Sequence, residues 1–92
     1  MTKRYNVRIR LVSQEKKCPN GHHVGDEWLV ERKTPGGICM GAFASLLPYL
    51  TTLRFGGSFP WVKQPGEGTF ACPDPEAKSV FHLVREAEAK DD

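Results

Sequence analysis

The sequence predicts an α+β domain, a small curled antiparallel sheet of about four or five strands packed against one kinked helix or two short helices. Three observations carry that expectation. Residues 5–12 alternate apolar and polar side chains, as a half-buried strand requires. Residues 42–53 repeat apolar side chains at the spacing of a core-facing helix. Residues 79–85 carry Val80, Phe81, Leu83 and Val84, apolar to both sides, which marks a central strand.

Taken in order, the first strand turns Tyr5, Val7, Ile9 and Leu11 to one face and Asn6, Arg8 and Arg10 to the other. Its arginines are then the solvent side of a sheet. Residues 13–25 form a loop rich in turn formers, with Pro19, Asn20, Gly21 and Gly25, and Asp26 caps the turn into a second strand over residues 27–33. Thr34-Pro35-Gly36-Gly37 ends that strand. The helical pattern runs through Ala42, Phe43, Leu46, Leu47, Leu50 and Leu53, interrupted by Pro48 and stopped by Gly56-Gly57. Residues 58–68 read as an ordered loop whose Trp61 packs down as a lid. A short strand follows over residues 69–72. The first strand and the strand from Ser79 are expected to lie side by side, and the charged stretch 86–92 to be frayed.

Ninety-two residues make one domain, 1–92, with a single core that hides roughly two-thirds of the extended surface. No apolar run approaches the ~18–20 residues of a membrane span, and no secretory apolar region follows Met1, so the expected location is the cytoplasm. A net charge of +2 is too small to imply nucleic acid or a membrane surface as partner, and no aromatic platform is interleaved with the basic residues. Three cysteines cannot all pair within one chain, which argues against an extracellular disulfide scaffold. One disulfide plus a free thiol is the competing arrangement.

The chemistry lies in those cysteines. They occur in Cys18-Pro19-Asn20-Gly21-His22-His23, in Pro35-Gly36-Gly37-Ile38-Cys39 and in Cys72-Pro73-Asp74-Pro75, each at the edge of a turn that can aim a thiol. Cys18 and His22 flank a Pro/Gly turn that can bring thiolate and imidazole to one cation, and Cys39 and Cys72 would complete three sulfurs and one nitrogen, a common tetrahedral zinc set. His23 can replace His22, but adjacent side chains rarely point the same way. An iron–sulfur centre is the second cofactor a thiolate set accepts. The plain alternative is three partly buried thiols with surface histidines.

Cys39 also has a reading without metal. It stands at the expected helix start, where unsatisfied N–H groups favour a thiolate, with His22 or His23 as base and Asp26 as the orienting carboxylate of a redox or transfer enzyme. Asp26 serves equally as a turn cap, and His82 within its apolar strand as an ordinary core or face histidine. Asp74 can cap a turn or hydrogen-bond a ligating imidazole. Phe55, Phe59 and Trp61 can line a pocket for a protein or small ligand, or pack their loop onto the helix.

The order Cys18, Gly21, His22, Gly25, Asp26; then Pro35, Gly37, Ile38, Cys39; then Ala42, Phe43, Ser45, Leu46; then Gly56, Gly57, Pro60, Trp61; then Cys72 to Pro75 resembles a family of small single-domain prokaryotic proteins of uncharacterised function. The resemblance covers most of the chain from Cys18 onward. It implies that His22, rather than His23 or His82, belongs with the three cysteines, and it brings no activity with it. This chain has His23 where the family pattern has Lys. The expected function is therefore a small metal-binding protein using Cys18, His22, Cys39 and Cys72, with a Cys39-dependent enzyme and an interaction module as alternatives.

Overall fold

The computed structural model describes residues 4–16, 21–71 and 78–88. These form β1 (Tyr5–Ser13), β2 (Glu27–Val30), α1 (Met40–Arg54), β3 (Glu67–Ala71) and β4 (Val80–Glu88), an α+β arrangement with one four-stranded antiparallel sheet in the order β2-β1-β4-β3. The alternation in β1 is realised. Val7, Ile9 and Leu11 are fully buried, and their neighbours across β4 are Arg85, Leu83 and Phe81. A one-residue slip would turn that apolar set to water, so the register is fixed by burial.

α1 covers one face of the sheet through Ala42, Leu46, Leu50 and Leu53, all buried. Each fully buried leucine is worth ~1.5–3 kcal/mol relative to exposure, which outweighs the proline inside the helix. Pro48 interrupts nothing beyond one hydrogen bond: Pro48 and Ala44, whose carbonyl loses its partner, both lie on the exposed side where water can serve. The helix is thus a single fifteen-residue element rather than two short ones.

Three boundaries differ from the sequence expectation. β2 ends at Val30, because Glu31, Arg32 and Lys33 are exposed and have no apolar side to bury. β3 starts at Glu67, and Gly68 leaves space for the Phe70 ring: a β-carbon there would lie 2.7 Å from that ring, which would have to shift. β4 continues to Glu88 instead of fraying at residue 86, since Glu88 pairs with Tyr5 and Glu86 meets Arg8. Trp61 does not pack down either. It is 64% exposed and stacks on Phe59, which takes the buried position.

The other sheet face carries Arg8 and Arg10, as expected for a solvated face. Arg8 donates to Glu86 through Nε at 2.6 Å and Nη2 at 3.2 Å, and through Nη1 to Glu27 at 3.2 Å. The hydrogen bond from Arg8 holds the Glu86 carboxyl below the ordinary carboxylate range, and Glu86 in turn raises Arg8. His82 lies on this face, 3.6 Å from a Glu67 oxygen.

The sheet order sets where loops meet. Ser13 and Ala71 both pair with Val80, so the β1–β2 loop and the β3–β4 loop leave the sheet at the same end. The amide hydrogen bonds from Leu11 to the Asp26 carbonyl and from Gly25 to the Leu11 carbonyl carry the ladder on into the first loop. α1 begins at this end and runs back to the end that holds Tyr5 and Arg85.

Candidate functional site

Among the described residues of the β1–β2 loop His22 is the buried one, 7% exposed, whereas His23 is exposed. The difference comes from the turn between them and β2. Asp26 Oδ2 accepts from the His23 amide at 2.9 Å, and the Asp26 amide donates to the His23 carbonyl at 2.9 Å, which closes a tight loop and turns His22 inward. Asp26 is therefore the turn cap.

His22 Nε2 accepts the backbone N–H of Cys39 at 2.8 Å, and its ring stands edge-on to Trp28 with centroids 4.9 Å apart. With Nε2 as acceptor, the ring proton sits on Nδ1. Trp28, near the start of β2, is a wall of the site. Gly37 is held at φ +83°, a conformation L side chains rarely adopt, and it turns the chain beside Trp28 just ahead of Cys39.

Cys39 is half-buried and caps α1. Its carbonyl accepts the Phe43 amide at 2.9 Å, and its side chain makes no capping bond to the helix. Its Sγ lies over the first turn, 3.9 Å from where a β-carbon on Gly41 would stand.

A second link ties the two loops at this end. The Gln14 amide donates to the His22 carbonyl at 3.2 Å, and the hydroxyl of buried Ser79, just before β4, donates to Gln14 Oε1 at 3.4 Å. No sequence signal marked Gln14, because a glutamine in a polar loop has no periodicity to betray it, and Ser79 stood out only as the start of the last strand.

Of the four residues expected to share a site, the structure brings His22 and Cys39 together; Cys18 and Cys72, like Asp74, lie outside the described residues. Among the described residues no three His, Cys, Asp or Glu side chains cluster as a metal site would need. His82 belongs to the open face with Glu67 and takes no part. No described helix is long and apolar enough to cross a membrane. The chain matches no family model, no curated protein and no solved structure.

Proposed function

We infer that this chain is a small metal-binding protein in which Cys18, His22, Cys39 and Cys72 hold one cation, zinc before an iron–sulfur centre. The hydrogen bond from the Cys39 amide to His22 Nε2 is the observation that carries this reading, because it sets side by side the residues that bear two of the four donors, at the end of the sheet where Ser13 and Ala71 close β1 and β3. Cys72 directly follows Ala71, and Cys18 precedes Gly21 by three residues. At ~3.8 Å per residue both are within reach of that end.

The Cys39 N–H uses the lone pair that a ligating imidazole would give to a metal, so a cation at Nε2 must displace a hydrogen bond worth ~0.5–1.5 kcal/mol net, a small cost against the ~10–16 kcal/mol that a complete four-ligand structural zinc site supplies. A cation would displace the amide, which can then turn to a sulfur. A thiol is too weak a donor to do the same, so His22 is poorly set to act as base for Cys39 in a transfer enzyme. Three sulfurs and a nitrogen close the tetrahedron and give the metal a structural role; Lewis-acid chemistry requires one ligand to leave. Thiols kept for a metal suit the reducing cytoplasm, and the motif order from Cys18 to Pro75 is the proposed family signature.

The test is elemental analysis of protein purified without chelator. About one zinc per chain is expected, or the visible absorption of a cluster if iron is bound, with loss of metal in Cys18→Ser and Cys72→Ser. Metal near zero with three readily titrated thiols would refute the reading. Alkylation fastest at Cys39 and persisting at mildly acid pH would then favour the enzyme alternative.

A further inference from the structure

The geometry points to a surface for self-association: the outer edge of β3 pairs antiparallel with the same edge of a second copy of the chain, about a two-fold axis at Thr69. β3 closes the sheet on one side, next to β4 alone. The Arg85 amide donates to the Gly66 carbonyl at 2.7 Å, and the register runs on from Glu67 opposite Val84 to Ala71 opposite Val80 without a shift. Antiparallel ladders alternate, so the backbone groups of Gly68 and Phe70 face β4 and those of Glu67, Thr69 and Ala71 face outward. Among the described residues no group bonds to that outward set, and Thr69 and Ala71 are exposed.

A free edge is a template for another strand, and chains guard such edges with charge, proline or bulges. β2, the opposite edge, is only four residues long and runs straight into Glu31, Arg32 and Lys33, all exposed. β3 carries a single charge, Glu67, whose carboxylate is turned to His82 at 3.6 Å, and it has neither proline nor lysine. How the strand reads against itself decides for a second copy. Pairing must join outward residues to leave the β4 ladder intact, and the register centred on Thr69 does so with all five residues of β3 matched. It forms about six backbone hydrogen bonds. Glu67 then lies opposite Ala71, so no like charges meet, and Thr69 meets Thr69, a favourable cross-strand pair. On the side facing α1, Phe70 lies opposite Gly68, a pairing of ring and glycine that shields edge glycines. Beside this edge Phe59 packs on Phe70, and Trp61 stacks on Phe59 at 5.1 Å with its indole 64% exposed. That apolar surface supplements a strand pair which alone would be short of a stable interface. An unrelated extended peptide would satisfy the same backbone groups without this matched set of side chains.

No residue of β3 is a proposed metal ligand, so this assignment and the metal reading fail separately. The test is sedimentation equilibrium of the protein as purified, from ~10 μM to ~1 mM, with amide hydrogen exchange at both ends of that range. The mass should rise from 10.3 kDa towards twice that value, and the Thr69 amide should gain protection with it. Thr69→Pro deletes an outward donor and no bond to β4, and should give a folded monomer. Thr69→Lys sets two ammonium groups face to face across the two-fold axis and should weaken association at least ~tenfold, which keeps the test open if the proline variant does not fold. A 10.3 kDa species throughout, association unchanged in Thr69→Lys, or Thr69 protection already present in the monomer would overturn the assignment.

Discussion

The Arg85 guanidinium donates to the Gly57 carbonyl at 2.7 Å and, through the same nitrogen, to the Leu53 carbonyl at 3.2 Å. It belongs to the central strand β4, and it thereby fastens the last turn of α1 and the Gly-Gly turn after it to the sheet. Its Cζ lies 5.2 Å from the centre of the Tyr5 ring, which covers it. Positive charge at a helix C-terminus also meets the negative end of the helix dipole. Replacing Arg85 by Met is expected to lower unfolding stability by about 2 kcal/mol, since two carbonyls lose a charged donor. Lys should recover part of the loss. A urea midpoint unchanged in Arg85→Met would show that the contact contributes nothing.

Gly57 answers to the same turn from the other side. Its amide donates to the Thr52 carbonyl at 2.8 Å, and a β-carbon on Gly57 would stand 2.9 Å from that oxygen and 2.7 Å from Thr52 Cγ2. The obstacle is backbone, which cannot swing away as a side chain would. Gly57→Ala should therefore cost ~1–3 kcal/mol, measured by thermal unfolding. Gly36→Ala, with open space around it, serves as the control and should be close to neutral.

The Arg8–Glu86 pair gives stability a pH dependence of known sign. The folded-state pKa of Glu86 is depressed, chiefly by the Arg8 hydrogen bond, so the contribution is present above the unfolded carboxylate pKa and is lost as pH falls through the lower folded value. Arg8 is raised, so its part would fade only at alkaline pH beyond ordinary study. Both side chains are over a third exposed, and solvent screens the pair. Glu86→Gln should be slightly less stable than wild type at neutral pH and indistinguishable from it in strong acid. A difference that grows on acidification would contradict the assignment.

Leu46 and Leu47 are adjacent on α1 and should differ in how much truncation costs. Leu46 is fully buried against the sheet, so Leu46→Ala should cost ~2–5 kcal/mol through lost burial and the cavity left behind. Leu47 is half-exposed, and Leu47→Ala should stay within ~0.5 kcal/mol. Denaturant melts of the two variants read the contrast directly.

How much of this was legible in the sequence follows from what each residue has to bury. Tyr5 to Leu11 alternate because one face meets the helix, and the side-by-side placing of β1 and β4 was readable from the apolar run around Phe81. Pro48 left one kinked helix and two short helices open because propensity counts the missing N–H but not whether the orphaned carbonyl faces water. Glu86 looked like the start of a loose tail because its partner, Arg8, is 78 positions away. In the candidate site, the turn chemistry around Asp26 was accessible from residue types, whereas these left His22 and His23 open and only the family resemblance implied His22. The grip of Trp28 on His22 and the Gln14–Ser79 bridge were not, since both depend on tertiary proximity that no local pattern encodes.

The two nine-residue strands at the middle of the sheet come from opposite ends of the described chain. Such a topology has high contact order, and its closing step must gather the longest loop available before most cross-strand bonds can form. A nascent chain that has emerged only through β3 holds an edge pair, a helix with an uncovered stripe and a strand with no neighbour. Productive folding therefore waits for β4, and a kinetic trace in which β1 amides gain exchange protection together with those of β4 would be its signature.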